Sequence, residues 1–292
     1  MDERGIVEVE TPILSHAGNT DPALQSFTTI LHSPFNRELQ QLYLHTSPEF
    51  AMKRLLAAGS GSIYQIAKVF RNEEAGILHQ PEFTMLEWYR VDFDQHKLMD
   101  EISELLEELR LGQAGRLSYQ QKFEERTGIN PHNCNVSILC KLAMDNGLAN
   151  PEQDRKMLLD FLFNRLIGSE LGHDAPIFIY DYPVCQAALA QIRNDNYPVA
   201  ERFELFINGM EIANGFNELR DVDEQKTRFE TENEWRRKHG LPEIPLDRRL
   251  LAALKQGLPP CAGVAVGLDR LLMVLTGSRS IEEVVTFSSN RS

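Results

Sequence analysis

Apolar positions along this chain follow a strand period, then a helical one, then a strand period again. Gly5-Ile6-Val7-Glu8-Val9-Glu10-Thr11-Pro12 alternates apolar and acidic residues before a proline, which predicts a strand closed by a turn. Ser47-Pro48-Glu49 has the form of a helix start, with proline at the first turn and a carboxylate at the positive end. Met52, Leu55 and Leu56 then share a face, so a helix is expected over about 48 to 58. Runs from Ile63 to Glu73 and from Glu82 to Tyr89 are rich in β-branched and aromatic residues. The loop between them contains Gly76 and Pro81, and together the two runs predict an antiparallel hairpin with a long connection.

From about 95 to 172 the period becomes helical, with Leu98, Ile102, Leu105, Leu106 and Leu109 as one stripe and Met157, Leu158, Phe161, Leu162 and Leu166 as another. Strand-like runs resume at Pro176 to Tyr182 and Phe203 to Gly215. A charged helix is expected near 223 to 239, then a final strand and helix over 263 to 276. Strands, a helical insertion and strands again predict an α+β fold with a mainly antiparallel sheet flanked by helices. A strand beginning at residue 5 also leads us to expect a helix ahead of it.

Bulk properties narrow the class. With 292 residues, 42% of them hydrophobic, the chain can bury a full core as one large domain with an insertion. No apolar run reaches about eighteen residues, and Met1-Asp2-Glu3-Arg4-Gly5 lacks the regions of a signal peptide, so a cytoplasmic protein away from membranes is expected. Cys134, Cys140, Cys185 and Cys261 form no C-x-x-C pair, which argues for reduced thiols over a zinc site or a disulfide framework. A net charge of −13 argues against a broad nucleic-acid-binding face.

Three segments break apolar runs with ions: Phe70-Arg71-Asn72-Glu73, Asn208 to Phe216, and Gly263 to Arg270. Buried ions require partners, and a triphosphate, magnesium and a cationic substrate would supply them. Asn208-Gly209 is a strong hairpin signal. Using it as the turn pairs 206 with 211 and 204 with 213, which makes Glu204 and Glu211 diagonal neighbours about 7 to 8 Å apart, able to hold a hard cation such as Mg2+. The plain alternative is two solvated glutamates on an exposed strand.

In the earlier hairpin Arg71 and Glu73 share a face, as do Phe83, Met85, Glu87 and Tyr89, so a phosphate-binding fork, a stacking ring and an ammonium-binding carboxylate converge. A structural cross-strand pair between Arg71 and Glu87 is an equal alternative. Gly263, Ala265 and Gly267 leave one strand face open, which taken alone is more often close packing than a nucleotide site, and Arg270 follows inside an apolar helix where it needs an anion.

These segments resemble class II aminoacyl-tRNA synthetases, with residues 5 to 12, 70 to 89 and 263 to 275 similar to that family's three motifs. Pro81-Glu82-Phe83-Thr84-Met85-Leu86-Glu87-Trp88-Tyr89 and Glu211 to Leu219 are most similar to the lysyl-tRNA synthetases. The resemblance implies ATP and Mg2+ as cofactors and assigns roles by position. Arg71 would hold the α-phosphate, Glu73 the adenine amino group, Phe83 the adenine ring, Arg270 the terminal phosphate, and His79 would join the ATP site. Glu204 and Glu211 would bind magnesium. Glu49 would meet the backbone-type amino group, and Glu87, Tyr89 and Glu218 the side-chain ammonium. Ser47, Asn214 and Ala265 complete the implied amino-acid pocket.

Two departures separate the chain from a lysyl-tRNA synthetase. The first motif arrives at residue 5, so no anticodon-binding domain is expected, and Ala265 and Ser47 stand where glycine and alanine are usual. Both departures resemble the paralogous family of synthetase-like ligases that act on elongation factor P. That resemblance implies (R)-β-lysine or lysine as substrate, a lysine of elongation factor P as acceptor in place of tRNA, and a homodimer. Open alternatives are a free-standing lysyl-tRNA synthetase core, a small-molecule ligase of the same fold, and a non-catalytic subunit.

Overall fold

The computed structural model describes residues 1–32, 39–289 and 291, and the chain divides into two compact units, Met1–Asp92 with Arg220–Ser292, and Phe93–Leu219. The first unit begins with β1 (Val7–Glu8), β2 (Leu14–Ser15), β3 (Thr28–His32), β4 (Leu39–Leu44), α1 (Glu49–Ala57), β5 (Ile63–Phe70) and β6 (Glu82–Val91). The second unit carries α2 (Gln95–Glu108), β7 (Gly115–Ser118), α3 (Tyr119–Thr127), α4 (Val136–Asp145), α5 (Arg155–Leu166), β8 (Ile177–Pro183), β9 (Ile192–Asn194), β10 (Pro198–Ile207) and β11 (Met210–Asn217). The chain then returns to the first unit with α6 (Val222–Lys238), α7 (Arg248–Gln256), β12 (Cys261–Gly267) and α8 (Leu268–Thr276).

In the first unit the strand order is β1-β5-β6-β12, and β2-β4-β3 form a separate antiparallel sheet. β5 pairs antiparallel with β6 from Ile63↔Tyr89 to Phe70↔Glu82, as the hairpin pattern predicts. β6 pairs antiparallel with β12, so β6 is hydrogen-bonded on both edges. The first strand is shorter than expected. Only Val7 and Glu8 pair, in parallel with β5, and both are exposed, so their alternation follows no buried face.

Helix α1 starts at Glu49, one residue later than the pattern suggests, because Pro48 sits at the cap position and the Glu49 N–H donates to the Ser47 hydroxyl at 3.0 Å. Met52 and Leu56 are buried beneath it, it packs against α7, and its Phe50 ring lies 5.7 Å from that of Phe229 on α6. The sheet of β2, β3 and β4 and the helix α7 are additions to the sequence-based plan.

The second unit orders its strands β11-β10-β8-β7, with β9 also on β10; all pair antiparallel except β7 with β8. Its core gathers Tyr119, Phe123, Leu139, Leu159, Leu162, Phe163 and Tyr182 from α3, α4, α5 and β8. On α5, Leu158 and Leu162 are buried as expected and Leu159 and Phe163 join them, whereas Met157 is exposed. Asp94, Asn135 and Asp154 cap the N-termini of α2, α4 and α5, and Ser118 with Gln121 forms a full capping box on α3. Asn208-Gly209 is the turn between β10 and β11, and both residues take positive φ. It is docked by two backbone bonds, Asn208 N–H to Gly172 O at 2.8 Å and Gly209 N–H to Leu171 O at 2.7 Å. No helix among the described residues is long and apolar enough to cross a membrane.

Candidate active site

Glu87 stands in β6 with Gln65 of β5 on one side and Ala265 of β12 on the other, and it is only 2% exposed. The Tyr89 hydroxyl donates to one carboxylate oxygen and the Ser47 hydroxyl to the other, each at 2.6 Å. Burial, reinforced by the negative charge of Glu49, pushes the Glu87 pKa up to about 7, while the two hydroxyl donors and Lys53 act in the opposite direction. Ser47 therefore serves two groups, capping the first N–H of α1 and supporting Glu87. One helical turn beyond Glu49, the Lys53 ammonium lies 2.7 Å from its carboxylate and is 1% exposed. Ser47, Glu49, Glu87, Tyr89 and Ala265 are thus joined by hydrogen bonds, charge coupling or strand pairing within one unit.

Arg71 and Glu73 lie past the end of β5, where strand alternation no longer applies, so the shared face expected for them is not formed. Arg71 N–H donates to Pro81 O at 2.9 Å, and Glu73 is exposed with a φ of 68°. Nor does Arg71 pair with Glu87: its Nη1 lies 3.6 Å from Glu74, and its guanidinium carbon sits 5.2 Å from the Phe83 ring centroid. Its buried Nε has no hydrogen-bond partner. A buried donor left open beside an aromatic face fits a phosphate-bearing ligand with a planar base.

His79 belongs to the β5–β6 loop, where its backbone bonds reciprocally with Gly76 at 3.1 and 3.3 Å. Arg270, on the first turn of α8, donates from Nε to Leu78 O of the same loop at 3.1 Å. Its neighbour Asp269 accepts the Thr84 N–H at 2.6 Å and ties α8 to β6.

In the second unit the Glu204 pairing differs from the expected register. Phe206 faces Glu211 as predicted, but a β-bulge between Leu205 and Phe206 places Glu204 opposite Asn214 instead of Ala213. The Asn214 amide consequently lies between the carboxylates, with Nδ2 3.3 Å from Glu204 and 3.5 Å from Glu211. Glu204 also accepts from the Tyr182 hydroxyl at 2.7 Å and pairs with Arg202. Burial and the Glu211 charge raise its pKa to about 7. Glu204 is 7% exposed, which removes the reading of two solvated glutamates. The two carboxylates bridged by the Asn214 amide form a hard-donor pair suited to Mg2+. Glu218 is 1% exposed and bridges to Ala190.

Sequence reasoning missed Lys53, Asp269, Tyr182 and Arg202. Lys53 was findable as the i+4 partner of Glu49 on a predicted helix, and Arg202 as a second ion on an apolar strand. Asp269 and Tyr182 carry no such signal.

The family model for class II tRNA synthetases (D, K and N) matches residues 1–291. The chain belongs to this family. It is 52% identical over 290 residues, 99% of its length and 90% of the relative's, to the elongation factor P–(R)-β-lysine ligase of Avibacterium paragallinarum. Relatives of the same name from Histophilus somni (strain 2336) and Pasteurella multocida are 50% and 49% identical, each over 98% of this chain and 89% of their own length.

Proposed function

We propose that this chain is an ATP-dependent ligase that activates (R)-β-lysine and joins it to a lysine ε-amine of elongation factor P. The observation that carries the reading is 49–52% identity, over nearly the whole of both chains, to ligases of that name. The acidic pair of Glu49 and buried Glu87 supports it independently. Glu87, held between two hydroxyl donors, and Glu49 are suited to ammonium groups, whereas a carboxylate-bearing side chain would meet repulsion there.

In the first step a substrate carboxylate oxygen attacks the α-phosphorus of ATP and pyrophosphate leaves. In the second, the acceptor amine attacks the acyl carbonyl, the amine loses a proton, AMP departs and an amide forms. Arg71 balances charge on the α-phosphate, Phe83 stacks on the adenine, Glu73 accepts from its amino group, and His79 and Arg270 attend the remaining phosphates. Glu204 and Glu211 would hold Mg2+, whose charge would neutralise the triphosphate. Glu49 takes the amino group near the carboxylate, and Glu87, Tyr89 and Glu218 take the distal ammonium. Ser47, Asn214 and Ala265 shape the pocket. The residues position and stabilise charge, with no protein nucleophile. We read the chain as a synthetase-like catalytic domain with residues of about 95–172 as a helical insertion, acting as a homodimer.

The test is the intact mass of elongation factor P after incubation with this protein and ATP, with (R)-β-lysine or α-lysine. A gain of one lysyl group, larger with the β isomer, is the expected result. No gain, alongside charging of lysine tRNA, would replace this reading with that of a tRNA synthetase.

A further inference from the structure

We propose that Lys53 is a positioning residue for substrate recognition, acting through Glu49; the inference rests on Glu49 binding a substrate amine as proposed above. Three observations support it. Lys53 is almost fully buried on α1, an unusual place for an ammonium, and its Nζ lies 2.7 Å from Glu49 Oε1. Glu49 is the first residue of α1, and its N–H is held by Ser47, whose hydroxyl donates to Glu87. Backbone cap and side-chain ion pair therefore restrain Glu49 at both ends, and the same serine links its position to Glu87.

Charge balance provides the second role. The charge on Glu49 raises the pKa of Glu87, and Lys53 opposes that effect. Without Lys53 the Glu49 charge would act on Glu87 unopposed, and Glu87 would take up a proton instead of binding an ammonium. The groups around Glu87 are Glu49 and Lys53 from α1, Ser47 before it, Tyr89 on β6, Gln65 on β5 and Ala265 on β12. Lys53 is the only cation among them.

The decisive experiment is a double-mutant cycle of Lys53→Met, Glu49→Gln and their combination, read by calorimetric binding of (R)-β-lysine and of α-lysine, with Lys53→Arg as the conservative rescue. Lys53→Met should weaken binding about tenfold or more, as loss of a charge-assisted contact does, and shift the acid limb of the binding profile toward higher pH. Lys53→Arg should restore much of the loss. In the Glu49→Gln background, Lys53→Met should cost little more, because its effect passes through Glu49. The double variant buries no unpaired carboxylate at residue 49, so it remains informative where Lys53→Met alone folds poorly. Equal losses from Lys53→Met with and without Glu49, or binding within about twofold of the unaltered chain, would overturn the role of Lys53 and leave the functional reading in place. Failure of the unaltered chain to bind either amino acid would overturn both.

Discussion

Replacing Glu87 with glutamine keeps the size of the side chain and removes the charge, which separates what this residue does for stability from what it does for substrate. The Glu87 pKa is about 7 in the folded protein against an ordinary value of 4.5. An acid raised on folding contributes stability that is complete below its unfolded pKa and is lost as pH rises through the folded one. With these values the unaltered protein loses about 2.5 kcal/mol from this group between about pH 5 and pH 8, a loss Glu87→Gln does not suffer. The amide accepts from only one of Ser47 and Tyr89, at a pH-independent cost of about 1 kcal/mol. Near pH 5 the two proteins should therefore unfold at almost the same urea concentration, and near pH 8 the variant should be more stable by about 2 kcal/mol. Fluorescence of Trp88 and Trp235 supplies the signal, Trp88 being buried beside the altered residue. Activation of lysine or β-lysine should be lost in the same variant while ATP binding persists. A stability difference that stays constant between the two pH values would refute the assignment of a buried carboxylate ionising at a cost.

Arg71→Ala should abolish amino-acid-dependent pyrophosphate exchange while leaving the unfolding midpoint close to that of the unaltered chain, since the side chain has a 3.6 Å ion pair and a contact with the Phe83 ring to lose, both of modest worth; retained exchange would contradict its place at the α-phosphate. Gly172→Ala should destabilise by about 3 kcal/mol or more in chemical denaturation, because its φ is +75° and a Cβ there would lie 2.4 Å from the Phe206 carbonyl oxygen. A near-neutral result would show that the turn at Asn208-Gly209 does not depend on this close approach.

Local pattern accounts for much of this protein. The strands at Ile63–Phe70 and Glu82–Val91, the helices at Glu49–Ala57 and Gln95–Glu108, and the turn at Asn208-Gly209 were legible because period and turn chemistry act over a few residues. The sheet of β2, β3 and β4 was not, since β3 is exposed throughout and β2 is two residues long, leaving no hydrophobic alternation to read. Likewise nothing local announces the bulge that moves Glu204 from Ala213 to Asn214, because one inserted residue changes the register without changing composition.

The sequence by itself determined which residue types were available for chemistry: carboxylates and arginines set into apolar runs, in an order similar to that of the class II synthetases. Tertiary structure decided their states. Ser47 reaches Glu87 across 40 positions of chain, Tyr182 reaches Glu204 across 22, and Arg71 turns to Glu74 instead of Glu87. Whether a carboxyl is charged depends on how much water and which neighbours surround it, and those are set by packing between elements far apart in the sequence.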